Sequence, residues 1–203
     1  MMEAPGWFVR DVSRETLEKL DAYKALLEKW TRKINLISKS TIDDIAMRHI
    51  WDSAQIYQQV THKWVDLGSG GGLPGVVIAV LAAGWNEPMD MVLVESDQRK
   101  TTFLRTCARE LDISLNVIPK RIDEIESQQG EIVSARALSD LSGLLEIAVP
   151  HLSQGGTCVF MKGARWQAEV ENARKSWQFS CEAAPSKTNS DAAILRIRDI
   201  ERA

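Results

Sequence analysis

Cysteine is scarce. The 203 residues contain three, Cys107, Cys158 and Cys181, an odd number set far apart. That excludes a full disulfide framework, and also a zinc knuckle, which needs cysteines paired at short spacing. Reduced, buried thiols in a cytosolic protein are expected. Histidine is as sparse: His49, His62 and His151 are scattered, so no metal site is expected. No apolar run approaches the roughly 20 residues that span a bilayer. The opening "MMEAPGWFVRDVSRE" lacks a basic region followed by an apolar stretch, so no signal peptide is visible and a cytoplasmic location is expected. Positive charge is not in excess either. The 25 Lys and Arg stand against 28 Asp and Glu, a formal net charge of −3. Bulk charge alone would not hold such a chain to nucleic acid. Local clusters do occur: Lys29, Arg32, Lys33 and Lys39; Arg99, Lys100 and Arg105; Lys162 and Arg165. The plain reading of each is a solvated helix face.

What is present is an ordinary globular composition, 44% apolar and 26% charged, in a length suited to one domain plus a modest extension. Residues 1–60 read as a helical N-terminal extension packed on a core domain of residues 61–203. From Ser13 onward, Leu17, Leu20, Leu27, Trp30 and Ile34 keep helical spacing. Ser13 can cap that helix, with Glu15 in its first turn. Asn35 to Ser40 reads as a break, and a second helix is expected from about Ile42 to Val60.

The remainder alternates strand and helix. "KWVDLG", "MVLVES", "LNVIPK", "EIVSARAL" and "GTCVFMKG" read as five buried strands, the first ending at Asp66. Between them lie the helical stretches "PGVVIAVLAAG", "QRKTTFLRTCARELD" and "LSGLLEIAVPHL", the last ended by Pro150. After the fifth strand comes a further helix, "ARWQAEVENARKSW". "AAILRIRDI" alternates and reads as a late antiparallel strand. Such alternation means an α/β fold, a mainly parallel Rossmann-like sheet covered on both faces. Ligands bind outside the carboxyl ends of its strands, near the switch point after the first.

"DLGSGGGLPG" (66–75) lies at that point. Gly70, Gly72 and Gly75 have the dinucleotide spacing, with Glu95 placed for a ribose. Asp66, Gly68, Gly70 and Gly72 fit equally the motif of methyltransferases that use S-adenosylmethionine. Charge separates the two. A pyrophosphate seeks backbone N–H groups and no carboxylate. Asp66 at the strand tip repels it, yet suits the ammonium and sulfonium of S-adenosylmethionine, directly or through water. Glu95 can accept both ribose hydroxyls. Asp123 sits where an adenine amino group should come, and Leu73 can pack on the ligand.

No Asp/Asn-Pro-Pro-Tyr/Phe motif for exocyclic amines follows the fourth strand. Cys158 lies within an apolar strand, where a packed thiol is the better reading than a nucleophile. No His–carboxylate pair stands out as a base. A ring nitrogen such as guanine N7 needs none, because its lone pair is free and alignment suffices. Arg136, ending the fourth strand, could bind guanine O6, a phosphate or the cofactor carboxylate.

"KINLIS" (33–38), "RHIWDSAQI" (48–56), "VDLGSGGGLPG" (65–75), "VESDQRKTTFLR" (94–105), "SARAL" (134–138) and "FMKG" (160–163) together resemble the bacterial 16S rRNA guanine-N7 methyltransferases, methyltransferase G or glucose-inhibited division protein B. The resemblance implies a Rossmann-like methyltransferase with a helical extension. It implies methyl transfer from S-adenosylmethionine to N7 of guanine 527, in the 530 loop of 16S rRNA, as naked RNA or in the small ribosomal subunit. It places cofactor contacts on Gly68, Leu73, Ile122, Asp123 and Arg136, with Gly70, Asp66 and Glu95 completing the pocket. It brings Asn35 and His49 to the pocket mouth as catalytic candidates beside Arg136. Asp52, Ser53, Lys162 and Arg165 become RNA-facing candidates. A monomer without metal or membrane attachment is expected. The competing readings are a small-molecule methyltransferase and a NAD-dependent oxidoreductase.

Overall fold

The computed structural model describes residues 2–57 and 61–203. Helix α1 runs from Arg14 to Thr31, with the Ser13 hydroxyl accepting the Thr16 N–H at 3.2 Å. Its inward stripe of Leu20, Tyr23 and Leu27 is fully buried. After a turn, a 3-10 segment (Lys39–Asp44) leads into a π-helical stretch (Ala46–Trp51) and the short helix α2 (Asp52–Ala54). One regular helix was expected there. The wider winding there carries His49, Ile50 and Trp51, all buried. The expected helix end at Val60 and the boundary at residue 60 lie outside the described residues.

The sheet comprises β1 (Lys63–Leu67), β2 (Asp90–Val94), β3 (Asn116–Ile118), β4 (Gly130–Arg136), β5 (Leu152–Lys162), β6 (Trp177–Pro185) and β7 (Ala193–Arg202), in the order β3-β2-β1-β4-β5-β7-β6. The first five are parallel; β7 runs antiparallel to β5 and to β6. Helices α3 (Gly75–Gly84), α4 (Gln98–Glu110), α5 (Leu141–Ala148) and α6 (Trp166–Ala173) cover it. The chain winds outward from β1 in both directions, so the switch point falls between β1 and β4. The sequence pattern predicts no strand at β6, whose first residue, Trp177, ends the last expected helix. It is an edge strand whose inward residues are only Trp177 and Phe179, with Cys181 half-buried.

Two apolar cores flank the sheet. One packs α1, α3 and α4 against Trp64, Leu93 and Ile132. The other packs α5 and α6 against Val65, Leu67 and Val133. Residues two apart share a face, so Asp66 follows Trp64 towards α3, and Arg136 follows Ile132 and Ser134 to the same side. Alternation within β1 and β4 thus decides which way the site residues point. Among the described residues no helix is long and apolar enough to cross a membrane, and no group of His, Cys, Asp or Glu could hold a metal.

Candidate active site

The loop after β1 turns through three glycines in the left-handed region, Gly68 (φ 64°), Gly70 (φ 56°) and Gly72 (φ 81°). A β-carbon on Gly68 would meet the Leu138 side chain at 2.7 Å, and one on Gly75 would meet Leu93 at 2.3 Å. The first glycine therefore opens the loop to close approach, and the last lets α3 settle on β2. The loop is held from three sides. Tyr23 of α1 donates its hydroxyl to the Gly71 carbonyl. Glu95, just beyond β2, accepts the Gly70 N–H at 2.9 Å and the Asp97 N–H at 2.8 Å. Asp66 accepts the Gly75 N–H at 3.3 Å and the Ser134 hydroxyl at 2.7 Å.

Two cavities open beyond the strand tips. One, of about 640 Å³, is lined by Gly68, Glu95, Ile122, Asp123 and Ile147. The other, of about 670 Å³, is lined by His49, Asp52, Met161, Lys162 and Arg165. Arg136 and Ala137 line both, so the end of β4 forms a shared wall. Ala137 turns sharply there, with φ 52°.

The Arg136 guanidinium donates from Nη1 to Asp52 Oδ2 (3.4 Å) and from Nη2 to His49 Nδ1 (3.0 Å). A guanidinium only donates, so Nδ1 is an acceptor and the proton sits on Nε2. Nε2–H donates to Thr41 Oγ1 (2.7 Å), and that hydroxyl donates to the Ser38 carbonyl (2.8 Å). Burial, with the charges of Arg136 and Arg48, lowers the His49 pKa to about 4. His49 is thus neutral near pH 7, with both nitrogens engaged. Asp52 Oδ1 is held by Gln55 Nε2 (2.8 Å) and by the Thr188 hydroxyl, which brings the segment after β6 to the cavity wall.

The family profile of rRNA small subunit methyltransferase G matches residues 16–194. The chain belongs to the rRNA small subunit methyltransferase G family. It is 47% identical to "Ribosomal RNA small subunit methyltransferase G" of Ruegeria sp. (strain TM1040) over 204 residues, the full length of both. It is 48% identical to the protein of that name from Cereibacter sphaeroides (strain ATCC 17029 / ATH 2.4.9), over 93% of each chain. In fold it is similar to M. jannaschii TYW2 in complex with AdoMet (TM-score 0.56, 12% identity, 85% of this chain and 80% of that one). It is also similar to the tRNA (m1A58) methyltransferase TrmI from Aquifex aeolicus (TM-score 0.57, 12% identity, 87% and 76%).

In this member of the methyltransferase G family, the residues expected at the site separate into three groups. Gly68, Glu95, Ile122, Asp123 and Arg136 share the smaller cavity; His49, Asp52, Lys162 and Arg165 join Arg136 around the larger. Gly70 braces Glu95 from behind. Four other expected residues lie away from both cavity walls. Asp66 is fully buried, with both oxygens engaged and its pKa raised to about 6, chiefly by burial. It holds the loop from beneath and has no surface for a cofactor cation. Leu73 packs in the core and lines neither cavity. Ser53, within α2, is fully buried. Asn35 is exposed and lines neither cavity; its neighbours Leu36, Ile37 and Ser38 line the larger. Lys162 is buried and committed to the Ser139 carbonyl (2.7 Å) and Glu169 (2.6 Å), so it ties down the turn after β4. Cys158 is a packed thiol whose pKa burial pushes far up.

Sequence reasoning missed Tyr23, Arg48, Gln55 and Thr188. Arg48 adjoins His49 in "RHIWDS" and was within reach. Thr188 follows an edge strand and carries no periodic signal.

Proposed function

We propose that the protein transfers the methyl group of S-adenosylmethionine to N7 of a guanine in 16S rRNA, guanine 527 of the 530 loop, in the cytoplasm. The observation that carries this reading is the pair of cavities meeting at Arg136, where His49 is bonded at both nitrogens. It agrees with membership of a family described by its action on small-subunit rRNA.

The smaller cavity fits the methyl donor. Its glycine edge has no room for a β-carbon at Gly68. The Glu95 oxygens retain lone pairs for two ribose hydroxyls, while Ile122 and Ile147 offer an apolar slot for a purine. When bound there, S-adenosylmethionine supplies an electrophilic methyl on a cationic sulfur. Guanine N7 presents an in-plane lone pair and no proton, so the chain needs to align rather than to abstract. His49, neutral and bonded at both nitrogens, fixes the Arg136 fork. Arg136 donates to O6, beside N7, and so orients the base with its N7 lone pair towards the methyl. Asp52 Oδ2, with only a long bond to Arg136, accepts N1–H and the exocyclic amine on the next edge. Arg48 and Arg165 at the cavity make no ion pair among the described residues and meet phosphates.

The test is incubation with methyl-tritiated S-adenosylmethionine and small subunits lacking the modification. Label is expected in 16S rRNA. Label on a free metabolite and never on RNA would refute the reading.

A further inference from the structure

A third cavity, of about 520 Å³, lies between α1 and α4, apart from the two that meet at Arg136. One helix face forms each wall. Leu26, Lys29, Trp30 and Lys33 follow the i, i+3, i+4, i+7 spacing, and Arg109 and Glu110 project from the opposite wall. The floor is aromatic. Trp30 is half-buried, its ring centroid 5.5 Å from that of Phe103 in an edge-on contact, which fixes the indole in place.

The rim carries three cations against one carboxylate, in a chain whose net charge is −3. Lys29 and Lys33 are exposed and form no ion pair among the described residues. Arg109 pairs only with its neighbour Glu110, in an exposed bridge worth little against a phosphate. Compensation of helix dipoles accounts for Lys29 and Arg109, each in the last turn of its helix. It does not account for Lys33, which lies beyond α1, or for an open aromatic floor between the cations. Lys33 on this groove lies three residues before Leu36 to Ser38, which line the larger cavity.

We infer that this groove binds single-stranded rRNA flanking the target guanine, with a base on Trp30 and phosphates on Lys29, Lys33 and Arg109. A fixed aromatic ring between flexible cations suits an unpaired strand. The inference rests on the reading as an rRNA enzyme. It adds a reason for the N-terminal helix: α1 holds RNA on its outer side while Tyr23 holds the glycine loop on its inner side.

The experiment uses the full chain and small subunits lacking the modification. For Lys29→Ala/Lys33→Ala, KM for the particle should rise about tenfold. The slope of log kcat/KM against log salt should become shallower by roughly 1.5, the loss of two phosphate contacts. Trp30→Leu, which keeps an apolar contact to Phe103, should raise KM about tenfold. Affinity for S-adenosylhomocysteine should stay unchanged in both. A photoreactive benzophenone side chain at position 33 should crosslink to 16S rRNA. Unchanged KM and slope in the double variant, or crosslinks to ribosomal protein alone, would overturn the groove while leaving the rRNA reading intact. Failure of the wild type to label rRNA would overturn both.

Discussion

Nη2 of Arg136 lies 3.0 Å from Nδ1 of His49, and the direction of that hydrogen bond follows from chemistry alone. The guanidinium cannot accept, so the imidazole accepts on Nδ1 and donates from Nε2. His49, a catalytic candidate by resemblance, is thereby a brace for the arginine on the wall between the two cavities.

His49→Asn, which retains an acceptor, should therefore lower kcat by less than about tenfold. Loss of a general base would cost roughly 100-fold or more. Arg136→Ala should lose most activity while remaining folded. Steady-state kinetics with thermal melts separate these outcomes, and a kcat loss of about a thousandfold in His49→Asn would restore the histidine as a base.

The same histidine makes stability depend on pH. Its folded-state pKa of about 4 lies below the usual 6.5, so between those values the unfolded chain binds the extra proton. This contribution is intact above pH 6.5 and is lost as pH falls towards 4. The Tm difference between wild type and His49→Asn should shift against the wild type over that window. Asp66 runs the other way. Burial raises its pKa to about 6 from 3.8, so the folded chain binds more protons between those values. Against Asp66→Asn, the wild type should gain stability as pH falls from about 6 to about 4. Melting curves across pH 4–8 check both signs.

Much of the fold was legible because the central strands are buried on both faces and read as short apolar runs. The glycines between Gly68 and Gly75 announced the turn after the first strand. What was not legible arose from three-dimensional packing. Asp66 belongs to the motif, yet strand alternation turns its carboxylate under the loop, so the charge argument chose a plausible cofactor for a reason the geometry does not supply. Ser53 is buried within α2, which a polar residue between polar and small neighbours does not announce. Thr188 and Gln55 reach Asp52 from 136 and three residues away in sequence, respectively, and no local pattern announces such contacts.

Gly75→Ala tests the close packing of α3 on β2. The new methyl would need Leu93, 2.3 Å from the added carbon, to yield. Overpacking of this kind costs about 1–3 kcal/mol. Urea unfolding should show a lower midpoint with an unchanged slope.

Asp52 gives a test of base recognition. If its free lone pairs accept the guanine N1–H and amine, the wild type should favour guanine over inosine at the target by about tenfold, the worth of one hydrogen bond to a charged group. Asp52→Asn should bring that ratio close to one without changing affinity for S-adenosylhomocysteine. A lowered affinity with the ratio intact would mean that Asp52 serves only to place Arg136.

The most direct measurement maps the product. Small subunits lacking the modification are incubated with the protein and S-adenosylmethionine. The 16S rRNA is then treated with borohydride and aniline, which cleave at N7-methylguanosine, and primer extension locates the break. A single new stop at guanine 527, absent when Arg136→Ala replaces the wild type, is the predicted result. Methyl incorporation into the RNA without a cleavable site, or cleavage scattered over many guanines, would contradict transfer to one aligned ring nitrogen.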